Sequence, residues 1–459
     1  MDRQILRASS NTQQQFASSP LELNAARRAM VSSPTLAMNE AVAQRRAEGK
    51  QTIHLGFGEA TLPLHPTLRH ALTEASGSTG YAPVAGLPPL RQAIAGYIQR
   101  TRDVDCNAGQ VVVGPGSKPL IYALLHVLHG DVLIPRPSWV SYEPHARLAG
   151  RQAIPVATDP LDHHRLTPGA LDEAIVTARA AGANPRILVI NSPSNPTGGM
   201  FAQEDIIALV AEARRQGITI ISDEIYAELA HGWRPHISPA RFYPEGCIIT
   251  GGLSKAFSAG GWRLGYAILP DGEGGQQLGK ALRALASEIW SAAATPIEEA
   301  AVVAFTPNAE MASYVWRSAR LHAYVTQTLY KTLDELDIVC PRPAGAFYLY
   351  PDFAPWRTVL ARQGISTNEQ LAQYLLDQWD IATLPGTAFG EETSALRLRL
   401  ATSMLYGSPA QTDLWQLLNK ADRLVIPGEV GDGISLELPE LAKAQQRWSE
   451  VIAHWNTLA

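Results

Sequence analysis

Six short runs rich in isoleucine and valine lie between Val111 and Thr250: VVVG, DVLIP, AIPVA, RILVIN, ITIIS and CIIT. Stretches with helical periodicity separate most of them, as in PLIYALLHVLHG, after Trp139, after Thr167 and from Gln203. Strands that are apolar on both faces and alternate with helices pack as a mainly parallel sheet with helices on both sides. The expected fold class is therefore α/β. Ligands of such sheets collect at the carboxyl ends of the strands. The chemically capable residues fall there: Gly116 and Ser117 after VVVG, Trp139 after DVLIP, Asn195 after RILVIN, Asp223 and Tyr226 after ITIIS, and Lys255 after CIIT.

Lys255 is the least ordinary of these. It lies among small residues (Gly251, Gly252, Ser254, Ala256) between the apolar runs CIIT and GYAIL, which reads as a loop joining two buried strands. Burial lowers an ammonium's pKa and turns it into an amine nucleophile, able to form a Schiff base with a carbonyl compound. Arg263 follows between Gly261 and Gly265, where an anion can approach the backbone. The segment VVVGPGSK is a strand, a glycine turn and a helix start. Free amides and the Ser117 hydroxyl there make an anion cradle, although neither the dinucleotide fingerprint nor the full P-loop spacing is present.

The totals narrow the partners. With 459 residues and 46% hydrophobic content the chain can bury a large core and divide into two lobes. A formal net charge of −5 gives no polybasic footprint for nucleic acid or an anionic membrane. The three cysteines, Cys106, Cys247 and Cys340, are widely spaced and suggest neither a disulfide framework nor a metal site. No run is long and apolar enough for a signal peptide or a membrane span, so a cytoplasmic protein is expected. The first twenty residues are polar and read as a mobile arm.

Around this centre, Leu36–Gly49 reads as a helix stopped by glycine, and TIHLGFGEATLP as a short strand entering a turn at Gly56 and Gly58. Tyr81 sits in an irregular Gly/Pro segment before an amphipathic helix. The tail LPELAKAQQRWSEVIAHWNTLA has helical periodicity, with Trp448 and Trp455 spaced to pack on the body.

The stretches YAPVAGLPPLRQAI, VVVGPGSKPLIYALL, PRPSWVSY, NSPSNPTGG, SDEIYAEL, SKAFSAGGWRLGYAILP and ALRLRLATS, in this order, resemble the fold type I pyridoxal-phosphate enzymes. Within these the chain is similar to the class I/II aminotransferases related to aspartate aminotransferase, from about Ser33 to about Leu418. The resemblance implies a large domain, 64–337, with a seven-stranded-type mainly parallel sheet. It also implies a smaller discontinuous α/β domain, 31–63 with 338–459, and an arm, 1–30. The implied cofactor is pyridoxal 5′-phosphate, with Lys255 as the Schiff-base lysine and Asp223 facing the pyridine nitrogen. Asn195 and Tyr226 face the phenolic oxygen, and Trp139 stacks on the ring. Gly116, Ser117, Lys118 and Arg263 lie at the phosphate, with Ser254 beside Lys255. Tyr81 matches a tyrosine that reaches the phosphate from the neighbouring subunit, which implies a homodimer with shared sites. Arg397 matches the arginine that grips the substrate α-carboxylate, with Gly58, Asn195 and Trp139 also lining the substrate. The implied reaction moves an amino group between an α-amino acid and a 2-oxo acid, with no metal.

Two departures bear on substrate choice. After Gly58 and Glu59 the chain reads ATLPLHP where the family commonly has Pro-Asp-Phe. Arg399 stands where a small residue is frequent, and strand alternation puts it on the face of Arg397, as a second anion contact or as a residue turned away. Elimination, ring closure, racemisation or oxidation on the same scaffold are alternative chemistries. A cofactor-sensing regulator is a third reading, although no helix-turn-helix pattern precedes the body.

Overall fold

The structure, a computed structural model, describes residues 33–232, 235–407, 412–430 and 432–458. The expected mobile arm lies outside the described residues. After a helix over Pro34–Ala47 comes β1 (Ile53–His54), followed by helices Pro66–Ala75 and Pro88–Arg102. The last of these starts on Pro88 and stops where Asp103 turns left-handed. The alternating region then supplies β2 (Val111–Gly114), β3 (Asp131–Pro135), β4 (Ala153–Val156), β5 (Pro185–Asn191), β6 (Thr219–Asp223), β7 (Cys247–Gly252) and β8 (Gly265–Ile268).

These form one seven-stranded sheet in the order β2-β8-β7-β6-β5-β3-β4. Pairs from β7 through β4 are parallel, while β8 runs antiparallel to both β7 and β2. The branched aliphatic runs are buried along nearly their whole length, as a sheet covered on both faces requires. This is the α/β fold expected of a fold type I enzyme. Register then aligns the strand ends: Asn191 of β5 pairs with Asp223 of β6, which pairs with Thr250 of β7.

The later chain adds β9 (Tyr348–Leu349), β10 (Ile381–Ala382), β11 (Leu384–Pro385) and β12 (Leu398–Ala401). β1 pairs in parallel with β10, and β11, β12 and β9 form an antiparallel sheet. The long helix Ala309–Glu335 lies among these parts, with fourteen buried residues along it. The tail is helical over Pro439–Thr457, and Trp448 and Trp455 are fully buried against Phe353. Among the described residues no helix is long and apolar enough to cross a membrane, and no His/Cys/Asp/Glu group could hold a metal ion.

Candidate active site

Lys255 enters from the turn between β7 and β8, and its Nζ donates to the Gly58 carbonyl at 2.7 Å. The ammonium also lies near the faces of Tyr226 and Phe347, 5.6 and 5.7 Å from the ring centroids. Burial brings its pKa down to about 8, with the Arg399 and Arg263 charges adding to that and Glu59 and Asp223 opposing it. A lysine so placed has a usable neutral fraction near neutral pH.

Asp223 closes β6, fully buried. Its Oδ2 accepts from the Tyr142 hydroxyl at 2.7 Å and its Oδ1 from Thr250 Oγ1 at 3.3 Å, while Asn191 Nδ2 donates to its carbonyl oxygen at 2.8 Å. Burial pushes its carboxyl up to about 6 against these hydrogen bonds. No cation lies within ion-pair distance among the described residues, so the site fits a positively charged partner opposite this carboxylate. Tyr226 shares a 2.7 Å hydrogen bond with Tyr348, and burial pushes its phenol well above the usual range. Asn195 is held through its backbone N–H by Asn191 Oδ1 at 2.7 Å, which leaves its own Oδ1 buried without a partner. The Trp139 ring meets Tyr142 edge-on at 5.2 Å.

The anion cradle is built from main chain. Gly116, at φ +105°, precedes the helix Ser117–Val127. A Cβ on Gly116 would come 2.5 Å from Arg263 Nη2, and one on Gly265 would come 2.3 Å from the Ser117 nitrogen. Gly116, Ser117, Arg263 and Gly265 therefore converge, and the amides at the helix start face the gap. Lys118 follows, with its Nζ 5.1 Å from the Trp139 ring centroid; desolvation and the Arg263 charge lower its pKa. Ser254 stands in the Lys255 turn with no side-chain hydrogen bond among the described residues. Tyr81 is 95% exposed and takes no part in the hydrogen bonds that join the others.

Arg397, matched above to the arginine of the substrate α-carboxylate, is ion-paired on two sides. Its Nε donates to Asp352 at 2.9 Å and its Nη1 to Glu391 at 2.5 Å. The charge of this guanidinium is therefore already balanced by two carboxylates. Arg399 is the arginine against the cluster: 2% exposed, its Nη2 donates to the Gly56 carbonyl at 2.6 Å. Its guanidinium carbon lies 5.0 and 5.4 Å from the Tyr348 and Phe389 ring centroids. Its Nε is buried without a partner, and its charge acts on Lys255 and Tyr226.

Tyr142, Thr250 and Tyr348 complete the site without having been singled out as its members, while Arg399 was open between a second anion contact and a residue turned away. Thr250 was recoverable from strand register, as the neighbour of Asp223 on β7. Tyr142 follows Trp139 by one turn, a weaker signal. Tyr348 comes from a distant segment and carried none; it is placed where a Cβ on Gly58 would come 2.2 Å from its hydroxyl.

Residues 50–404 match the family model of aminotransferase class I and II. The chain belongs to this family. It is 34% identical over 386 residues to an aspartate aminotransferase of Geobacillus stearothermophilus, covering 81% of this chain and 92% of the relative. Against an aspartate/prephenate aminotransferase of Thermus thermophilus the identity is 31%, over 82% and 93% of the two chains. The structure of the aspartate aminotransferase from Thermus thermophilus with maleate superposes with a TM-score of 0.78 at 28% identity, covering 94% of this chain and all of that one. This class I/II aminotransferase uses pyridoxal 5′-phosphate, as its family does. The residues present fit that group: a buried carboxylate without a cation among the described residues, a buried lysine amine and a main-chain cradle for a phosphate beside an arginine.

Proposed function

We propose that this aminotransferase moves the amino group of aspartate, or of another dicarboxylic amino acid, to a 2-oxo acid. The observation that carries this is a pair of cations, Arg399 and Lys118, that have no carboxylate partner among the described residues and lie on residues of the Lys255 cluster and on Trp139. Two such cations match two carboxylates, and the names of the relatives support the same substrate class.

When bound, pyridoxal phosphate supplies an electron-accepting ring that stabilises negative charge left at the substrate Cα. In this reading Asp223, oriented by Tyr142 and Thr250, faces the pyridine nitrogen, and Tyr226 and Asn195 face the phenolic oxygen. Trp139 covers the ring. Gly116, Ser117 and Arg263 hold the phosphate, with Tyr81 of a second copy adding to it, which supports a homodimer with shared sites. Arg399 holds the α-carboxylate from its buried seat over Tyr348, beside Gly58. Lys255, with a pKa of about 8, is balanced to take a proton at Cα and to return one. Leaving the Gly58 carbonyl is a small rearrangement for its flexible side chain. Residues 64–337 serve as the large domain, with 31–63 and 338–459 as a smaller one, and the enzyme acts in the cytoplasm.

The test is to mix the purified protein with single amino acids, without any oxo acid, and to follow the cofactor's absorbance together with the oxo acid released. Aspartate is expected to release oxaloacetate in stoichiometric amount as the spectrum changes. An unchanged spectrum with aspartate and glutamate, or keto-acid-independent turnover, overturns the reading.

A further inference from the structure

A second cavity, away from the strand ends, encloses about 680 Å³ between the Pro34–Ala47 helix, β1 and the C-terminal helix. It is as large as the roughly 660 Å³ cleft beside Asn195 and Tyr142. Arg46 and Lys50 line one wall, Lys443 and Arg447 the other, and Thr52 and His54 of the β1 strand region lie between them. Against these four cations the lining has two carboxylates, Glu440 and Glu450. In a chain of formal net charge −5, this is a local reversal of sign.

Most of the cations are held only loosely. Lys443 pairs with Glu440 at 2.8 Å and Lys50 with Glu48 at 3.1 Å, both on or near the surface, while Arg447 is held more firmly, by Glu450 at 3.1 Å, by Asp380 at 4.0 Å and by the Trp379 carbonyl. Exposed pairs of this kind are worth about 0–1 kcal/mol, so a multiply charged ligand can displace them. Arg46 has no carboxylate partner among the described residues. Thr52 and His54, 7% and 4% exposed, add an independent sign: Thr52 Oγ1 and His54 Nδ1 have no hydrogen-bond partner. His54 Nε2 is occupied by Asn39 Oδ1 at 3.1 Å. A buried hydroxyl and a buried ring nitrogen left open at one place are uncommon, and a ligand or its bridging water satisfies both.

One wall is the C-terminal helix. The helix Pro439–Thr457 lies beyond the residues matched by the family model, yet Trp448 and Trp455 seat it firmly. The floor leads to the active site. Just after β1, the Gly56 carbonyl accepts from Arg399 and the Gly58 carbonyl from Lys255, while Thr61, also lining the cavity, contacts Tyr406 through its backbone N–H at 3.3 Å.

We propose that this cavity is a regulatory site for a small anion carrying two or more negative charges, a polycarboxylate or a phosphorylated metabolite. Such a ligand bridges Arg46 and Lys443 across the cavity. It presses on the segment that holds Arg399 and Lys255 by their carbonyl contacts, and so changes affinity for the substrate carboxylate.

The experiment is calorimetric titration of the full-length, cofactor-saturated protein with citrate, with inorganic diphosphate and with acetate as the monovalent control, all at fixed ionic strength. Saturable binding of citrate, of diphosphate or of both, but not of acetate, is expected. Which of the two binds identifies the source of the anion. The variant Arg46→Glu/Lys443→Glu, at exposed positions outside the catalytic cluster, is expected to weaken binding about tenfold or more while leaving anion-free turnover unchanged. The milder Arg46→Gln/Lys443→Gln provides the same reading should the reversal disturb folding. Absence of saturable binding, or binding unaffected by both variants, overturns the proposal. Neither result depends on which amino acid the enzyme uses.

Discussion

At the glycine end of the site, Gly116, Ser117 and Gly265 hold their places through main chain and strand order. At the arginine end, Arg397 and Arg399 leave the same face of one strand and are told apart only by the groups that reach them. Asp352 and Glu391 claim the first, while Gly56, Tyr348 and Phe389 enclose the second. Position along a strand fixes where a backbone goes. It does not fix which of two equivalent cations stays free, because that depends on carboxylates from distant segments.

The largest effect tests the shared centre of both ends. Lys255→Ala removes the amine proposed above to carry the proton at Cα, and kcat is expected to fall by about 10⁴-fold or more, measured in single turnovers with aspartate. The comparison itself is decided next. Arg399→Ala is expected to lower kcat/KM by about a hundredfold to a thousandfold, since a buried charge-assisted contact is lost. Arg397→Ala is expected to change it by about tenfold or less, because its charge is already paired with Asp352 and Glu391. A reversed ranking returns the carboxylate to Arg397.

A third expectation concerns the protein freed of cofactor. There the Asp223 carboxyl, pushed up to about 6, keeps its proton in the fold after the unfolded chain has released it. Its contribution is full below about pH 4 and is lost as pH rises through about 6, a change of roughly 3 kcal/mol. Urea unfolding across that window is the measurement, and Asp223→Asn is expected to flatten this limb. The smallest effect belongs to Tyr142→Phe, which removes one hydrogen bond from Asp223 and is expected to lower kcat by about tenfold or less. A loss as large as that of Lys255→Ala gives Tyr142 a role in the proton transfer itself.

Much of this was legible in the residues. Six aliphatic runs foretold six of the seven strands, five of them paired in parallel, and Asp223 and Lys255 drew attention because strand ends are where such sheets bind ligands. The periodicity of the tail, with Trp448 and Trp455 on one face, likewise foretold a packed helix. Tyr348 and the identity of the free arginine were not legible, for one reason. Both depend on contacts between segments far apart in the chain, such as Tyr226 with Tyr348 and Arg397 with Asp352. The cavity behind β1 escaped notice likewise, since its cations come from two segments at opposite ends of the sequence.

The glycine end also carries an evolutionary consequence. A side chain at Gly116 would strike Arg263, and one at Gly265 would strike the main chain of Gly116 and Ser117. Mutation has no room to explore there, so any lineage built on this scaffold inherits that end unchanged. Adaptation to a new amino acid is channelled to the opposite end: the arginine strand and the ATLPLHP loop. There one substitution can redirect a charge without disturbing the sheet.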